Sequence, residues 1–284
     1  MKKLYVFLAV ALMSVISMGT FNSCKKDGVY NPKKKISRTF EQSYGEELRQ
    51  FFTWDKNKLS KINYGDGSFS VFEYNKNQVS KIIESNGDYI TFTYDGSKIN
   101  KMEHFHKGKL KLVNRFEHSG NKITKMTAEG YDDDDDYMKS KKNDILNFIL
   151  PVRIDENTKV ANHKSHKKNK KATMTSATRK YTWKGNNVVQ LDFEQILNDG
   201  EVHTATLKFT YDKMNNPFYG LLYNFEMSKN NITKTTHIDN YGNYYEFEYS
   251  YFYDNIIPFP IECRSTLRYD NSTYASTTTY YEYE

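Results

Sequence analysis

Two histidines separated by one residue are the first candidate for a site with chemistry. His104 and His106 flank Phe105, and alternate residues of a strand face the same side. A metal site carried on a strand uses this spacing, but zinc needs three or four protein ligands and the sequence positions no third one. We therefore expect two histidines at the edge of a hairpin, with no metal and no cofactor.

A run of five aspartates, Asp132–Asp136, offers the oxygen ligands that calcium prefers. It lacks the glycine and the terminal glutamate that an EF-hand loop places at fixed positions. A basic run follows at Lys164–Lys171. Blocks of like charge repel themselves and stay in solvent, so we predict two solvated loops rather than a calcium site.

Glu246 and Glu248 form the only carboxylate pair that we consider for catalysis. A glycosidase needs two carboxylates separated by roughly 5 to 9.5 Å. However, a glutamate recurs between two aromatic residues elsewhere in the chain, as at Glu73 and Glu117, which is typical of the wet face of a strand. Signatures of nucleophile elbows, phosphate loops, dinucleotide sites and zinc sites are absent from the sequence. We predict a protein that is not an enzyme and keep a glycan-directed hydrolase with unidentified carboxylates as an alternative.

The amino terminus has the pattern of an export signal. Two lysines precede an uncharged apolar stretch over residues 4–18, so residues 1–23 are predicted to be a signal peptide. The stretch ends at Phe21–Cys24, which resembles a bacterial lipobox. Cys24 is therefore the predicted lipidation site, and residues 24–40 are the predicted acylated cysteine and tether. Several acyl chains anchor a protein stably in a membrane, whereas a single chain gives only weak, reversible membrane binding.

The residues after Cys24 predict where in the cell the protein is located. Lys25 and Lys26 follow it directly, and the resemblance to Gram-negative surface lipoproteins implies sorting to the outer membrane, with display at the cell surface as an open question. The second cysteine, Cys263, has no disulfide partner if Cys24 is acylated. Its strand-like surroundings predict a small buried residue rather than a nucleophile.

Net charge and amino-acid composition exclude some classes of binding partner. The net charge of +6 includes two leader lysines and is too small for a protein whose main partner is nucleic acid. The mean hydropathy is −0.81, although 15% of the residues are aromatic. The apolar material is thus concentrated in rings, which either form a core or offer a surface for stacking on sugar rings.

A short sequence motif, which we call the phrase, recurs along the chain and predicts the strands that hold it together. Copies begin at Phe52, Phe72, Phe92 and Phe116, and such a repeat determines the architecture. Each copy reads aromatic, polar, aromatic, and then a short turn rich in Asp, Asn, Gly and Lys, followed by an apolar residue and Lys-Ile or Lys-Met. Alternation with period two predicts half-buried strands, and the turn residues predict hairpins.

The second half repeats the phrase less strictly, with copies that begin at Tyr181, Phe209, Phe225 and Phe247. The fold class that we predict is all-β, an antiparallel meander of repeated hairpins with about 14 to 16 strands in a twisted, rolled or barrel-like sheet. Near Pro217 we expect the chain to leave the sheet, since proline cannot occupy a central strand.

The domain organisation follows from where the phrase breaks. Residues 41–284 are predicted to form one β-repeat domain in two halves, 41–130 and 178–284, around a charged insertion at 131–177. Whether the halves form one sheet or two is open at this point. The apolar segment 145–152 within the insertion fits either a strand or a short helix.

The phrase resembles the tyrosine–aspartate (YD/Rhs-type) repeat. Together with the leader, the region from Glu41 to Glu284 is similar to a Gram-negative outer-membrane lipoprotein family of unknown function that is described as having a porin-like β fold. This resemblance implies an architecture and supplies no catalytic residues.

These observations favour a lipid-anchored β-repeat protein of the cell envelope that acts as a non-catalytic binding or scaffolding module. Its expected partners are the membrane, through the anchor, and an envelope glycan or protein. A porin-like barrel that holds a small ligand is a second alternative. Many strands look shorter than the roughly 9 to 11 residues that a membrane-crossing strand needs, so a transmembrane pore is disfavoured.

Overall fold

A computed structural model describes residues 35–43, 46–130, 174–197, 200–219, 228–269 and 272–284. Among these residues no helix is long and apolar enough to cross a membrane. The described residues form sixteen strands: β1 (Ile36–Ser43), β2 (Glu46–Asp55), β3 (Lys58–Tyr64), β4 (Phe69–Asn75), β5 (Gln78–Glu84), β6 (Tyr89–Asp95), β7 (Lys98–His106), β8 (Lys109–Ser119), β9 (Lys122–Gly130), β10 (Met174–Lys184), β11 (Asn187–Leu197), β12 (Val202–Asn215), β13 (Asn230–Asp239), β14 (Tyr244–Tyr253), β15 (Pro260–Tyr269) and β16 (Ser272–Tyr283).

The strands form one closed antiparallel barrel. Every strand pairs with its neighbours in sequence, and β1 pairs with β16 to close the sheet. The two halves of the chain join directly, because β10 pairs with β9. The predicted all-β meander is therefore confirmed, and its two halves belong to one sheet.

The strands extend beyond two of the predicted boundaries. β1 begins at Ile36, inside the predicted tether, and β10 begins at Met174, inside the predicted insertion. Both extensions lie outside the phrase and become strands by pairing with their neighbours. β1, for example, pairs with both β2 and β16. Cys24, the aspartate run, the basic run and the segment 145–152 lie outside the described residues.

One face of every hairpin forms the barrel interior. Ile36, Ile62, Ile82 and Ile123 have no exposed surface, and they belong to a single apolar cluster that spans both halves of the chain. Only the inner face of a closed sheet brings such distant strands into one cluster. Apolar side chains thus occupy the lumen at this level.

The outer face of the barrel carries polar and charged residues together with single aromatic rings such as Tyr89 and Tyr280. The residues between the aromatic pairs of the phrase are exposed: Thr53, Glu73, Thr93 and Glu117. They face outwards because they alternate with inward rings, as the period of two predicted.

Different short turns prevail at the two ends of the barrel. At the end where β1 begins and β16 ends, which we call the proximal end, five hairpins close with two-residue loops whose first residue has a positive φ, as primed hairpin turns require. These residues are Lys56, Lys76, Gly96, Gly120 and Gly185. At the opposite, distal end, the β7–β8 turn is a two-residue loop, and four other turns are three-residue loops that place a positive-φ glycine last. These glycines are Gly67, Gly87, Gly200 and Gly242.

A β-bulge recurs in each copy of the phrase. In the first copy Trp54 pairs with Leu59 and Thr53 pairs with Lys61, so Ser60 is an extra residue. The bulge lets Leu59 and Ile62, three residues apart, both face inwards. The Ser60 hydroxyl donates to the Thr53 carbonyl at 2.9 Å, which explains the polar residue at this position. The extra residues of other copies are Ser80, Asn100, Thr124 and Val189.

The second ring of each phrase ties its hairpin to the preceding one. The Tyr74 hydroxyl donates to the Leu59 carbonyl at 2.8 Å, and the Tyr94 hydroxyl donates to the Val79 carbonyl at 2.9 Å. These ties cross the β3–β4 and β5–β6 boundaries, where only three residue pairs are in register. Equivalent bonds join Trp54 to Ile36, Trp183 to Ile123, Tyr211 to Val188 and Tyr283 to Pro260.

Candidate functional site

The paired histidines are buried inside the distal part of the barrel. His104 and His106 are 3% and 6% exposed. His106 Nδ1 lies 2.8 Å from an Asp88 carboxylate oxygen, and His104 Nε2 lies 3.2 Å from the Asn114 amide nitrogen. His106 ends β7, at the hairpin edge where it was expected. Within the described ranges no group of three His, Cys, Asp or Glu residues is arranged to hold a metal.

Glu246 and Glu248 lie on the outer face, and each forms an ion pair with a basic side chain. The Lys234 ammonium lies 2.6 Å from Glu246, and the Arg268 guanidinium lies 3.0 Å from Glu248. The hydrogen bond from Lys234, followed by that from Tyr244, lowers the pKa of Glu246. A catalytic acid needs the opposite shift, so this pair does not have the electrostatics of a glycosidase acid.

Cys263 is buried, as predicted. Its thiol faces inwards next to the hydroxyls of Tyr251 and Tyr281, and burial raises its pKa to about 12. A thiol in this state is not a nucleophile, because reactivity requires the thiolate.

The described start of the connection between β12 and β13, residues 216–219, packs on the core at the proximal end. Pro217 is buried and Phe218 packs against Tyr281, with ring centroids 6.1 Å apart. Ser228, 1% exposed, donates to the Tyr211 hydroxyl at 2.7 Å. The chain leaves the sheet in a turn at residues 217–219, as the proline predicted, and this turn folds onto the core.

The distal end is lined by aromatic rings on three neighbouring strands. His237, Tyr245 and Tyr269 pair across β13, β14 and β15. Adjacent ring centroids are 5.6 and 5.0 Å apart, with planes inclined by 29° and 30°. We call these three residues the aromatic row.

The aromatic row faces inwards but is open to solvent. Tyr245 shares a strand face with Phe247, whose cross-strand partner Thr235 has no exposed surface. Tyr269 nevertheless remains 42% exposed. The lumen is thus filled in the middle of the barrel and accessible beside the row.

Burial favours the neutral form of two rings of the row. It lowers the pKa of His237 below its ordinary value of 6.5 and raises the pKa of Tyr245. An aromatic surface with hydroxyl and imidazole groups at its edges can stack on an apolar ring face and also hydrogen-bond.

A polar rim adjoins the row at the β13–β14 turn. The Tyr241 hydroxyl donates to Glu201 at 2.7 Å and lies 3.1 Å from His203 Nδ1. The Asp239 carboxylate accepts the backbone N–H groups of Tyr241 and Asn243, both at 2.9 Å. Few polar groups beside an aromatic surface are typical of ligand sites.

Reasoning from the sequence did not identify the aromatic row. Its members are separated by 8 and 24 residues, so no local motif joins them. The available signal was the alternation of five aromatic residues from Tyr245 to Tyr253, which predicts one aromatic strand face without showing what lies beside it.

Comparison with known proteins supports the fold. No protein-family model matches the chain, and no curated protein matches it. A porin-like protein from Bacteroides vulgatus superposes with a TM-score of 0.57 at 12% identity, covering 89% of this chain and 99% of that one. A porin-like protein from Bacteroides uniformis gives 0.55 at 12% identity, with 91% and 100% covered.

The likeness is one of fold. It confirms the porin-like part of the family resemblance drawn from the sequence. Acylation of Cys24, the location and the kinship with YD repeats stay predictions.

Proposed function

We propose that this protein is a lipid-anchored, non-catalytic binding barrel of the cell envelope that binds a glycan at the aromatic row. The observation that supports this function is a solvent-accessible aromatic surface at the distal end of the barrel, formed by His237, Tyr245 and Tyr269. Cys24 would supply the outer-membrane anchor. The pairing of Glu246 and Glu248 with bases supports the absence of hydrolysis.

The outer face supports an anchored rather than an embedded barrel. Barrels that cross a membrane present an apolar band of about 25 Å to lipid. Charged residues instead occur on outward positions around this barrel: Lys61, Glu73, Lys81, Lys101, Lys125, Lys208, Lys234, Arg264 and Glu282. Such side chains are costly in lipid, so water is the medium that suits this wall.

Fractionation of cells that express the Cys24→Ala variant tests the anchor. The acylated protein should sediment with membranes, and the variant should be released. A variant that remains in the membrane fraction would argue for a barrel embedded by its strands. Conductance steps of the purified unacylated chain in planar bilayers would establish a porin-like conduit in place of this proposal.

A binding screen against envelope glycans tests the ligand. The chain from Lys25 onward should bind at least one glycan, and Tyr269→Ala should weaken binding about tenfold, since one aromatic contact contributes roughly 1 kcal/mol or more. Tyr269 is suited to substitution because it is already 42% exposed.

The matched control is Tyr280→Ala, which removes an outward tyrosine that is 39% exposed. It should leave glycan binding unchanged. Uniformly negative screens, or equal losses in Tyr269→Ala and Tyr280→Ala, would refute glycan binding at the aromatic row.

A further inference from the structure

We infer that the proximal end of the barrel is a membrane-contact surface, which seats on a bilayer with anionic phosphate groups and directs the aromatic row away from it. This inference goes beyond glycan binding. It is also independent of acylation, because it rests on the charge and shape of the folded barrel.

Lysines are frequent at the proximal end, from the start of β1 to the start of β13. Nine occupy its turns and strand ends: Lys35, Lys56, Lys58, Lys76, Lys98, Lys122, Lys184, Lys213 and Lys229. Among the described residues, six acidic side chains lie at the same turns and strand ends, those of Asp55, Asp95, Asp212, Asp254, Glu282 and Glu284. The excess of positive charge fits an anionic bilayer, to which each lysine near the surface contributes attraction.

Hydrogen bonds hold some of these lysines in place. The ammonium groups of Lys35, Lys58 and Lys122 donate to backbone carbonyls of the next proximal turn or strand end along the sheet, at Lys56, Lys76 and Gly185. Adjacent turns are thereby joined edge to edge. Other proximal lysines, such as Lys56, Lys76, Lys184 and Lys213, are exposed.

The chain that precedes the barrel enters at the same end and is itself basic. The residues between Cys24 and Lys35 include four lysines and one aspartate. Eleven residue steps reach at most about 40 Å. An acylated Cys24 would therefore keep the point at which the chain enters the barrel, on the proximal end, within this distance of the membrane.

An aliphatic side chain projects from the proximal end. Ile256, in the β14–β15 connection, is 85% exposed. Its backbone N–H donates to Asp254 at 3.0 Å, and Phe259 stacks on Tyr283 with ring centroids 5.6 Å apart. An exposed isoleucine on the same end of the barrel as the lysines is the composition of an interfacial membrane contact, where apolar groups enter the headgroup boundary and cations bind phosphates.

Vesicle sedimentation of the unacylated chain from Lys25 onward tests the surface. The protein should bind vesicles that contain phosphatidylglycerol and should not bind pure phosphatidylcholine. Glutamine substitution of four exposed proximal lysines should reduce binding at least tenfold, since each exposed lysine contributes up to about fivefold. The four are Lys56, Lys76, Lys184 and Lys213. Ile256→Ser should reduce binding by about tenfold when its side chain enters the bilayer.

Matched controls remove the same groups elsewhere. Glutamine at four exposed lysines away from the proximal end should leave vesicle binding within about twofold, apart from the loss of net charge. These are Lys107, Lys109, Lys180 and Lys208. Ile238→Ser, at a distal isoleucine that is 45% exposed, should have no effect.

Absence of binding to phosphatidylglycerol vesicles, or equal losses in the proximal and control variants, would overturn the inference. Glycan binding by the same proteins should be unchanged in every variant of this series. Failure of the membrane surface and failure of the glycan site are therefore separate results.

Discussion

The aromatic ties between hairpins make a prediction that can be worked out from the structure. Tyr74→Phe removes the hydroxyl that bonds to the Leu59 carbonyl at 2.8 Å. Leu59 is 1% exposed, so water cannot easily replace the lost donor. A buried acceptor left without its partner costs about 1 to 3 kcal/mol. We expect Tyr74→Phe to lower the free energy of unfolding by about 2 kcal/mol.

The repeat supplies a second, equivalent substitution. Tyr94→Phe removes the same bond one hairpin further on and should cost a similar amount. The two ties are separated by two strand spacings, about 10 Å, and effects of sites at this distance usually add. The double variant should therefore lose about 4 kcal/mol.

Urea unfolding followed by circular dichroism measures these losses as a lower midpoint at an unchanged slope. Tyr89→Phe is the control, because the Tyr89 ring lies on the outer face and stacks on Phe105 with centroids 4.6 Å apart. Its loss should stay within about 0.5 kcal/mol, as is usual at surfaces. If Tyr74→Phe and Tyr89→Phe lose the same stability, the ties do not hold the hairpins together.

Burial of the Cys263 thiol predicts that the native chain from Lys25 onward reacts with Ellman's reagent only as it unfolds; fast reaction of the folded protein would contradict this. Because burial lowers the pKa of His237, the native state binds fewer protons than the unfolded state, and stability should fall as the pH drops below 6.5. The variant His237→Phe should lack this part of the pH dependence in urea unfolding curves. Lys76 has a φ of 56°, so Lys76→Gly should raise the free energy of unfolding by up to about 1 kcal/mol. Gly96→Lys at the equivalent turn position should lower the melting temperature. A less stable Lys76→Gly together with a more stable Gly96→Lys would contradict this account of the turn.

Much of the barrel could be predicted because the phrase encodes its hairpins locally. The alternation of Phe72 and Tyr74 around Glu73 determines which face is inside, and the turn residues determine where each strand ends. The bulge at Ser80 was not predicted, since a polar residue after Val79 reads as ordinary alternation. The sequence left a rolled sheet and a closed barrel as alternatives, because nothing in the strand β1 indicates that it pairs with β16.

The candidate site depends on register between strands, which a single sequence does not show. Tyr245 meets His237 and Tyr269 only because β14 pairs with β13 and β15 at those positions. A shift of one residue would turn every ring to the outer face. The outward orientation of Glu246 and Glu248 was predictable, because they alternate with aromatic residues that face inwards.

The hydrogen bonds between hairpins and the short turns bear on how the number of strands in such a barrel can change. A hairpin such as β4–β5 carries on one edge the Tyr74 donor for the hairpin before it, and on the other edge the Val79 carbonyl acceptor for the hairpin after it. Duplication of this unit would create no unmatched edge, since the copy would bring both halves of the bond. Barrels of this kind can therefore gain or lose whole hairpins, which keeps the number of strands even and both termini at the same end.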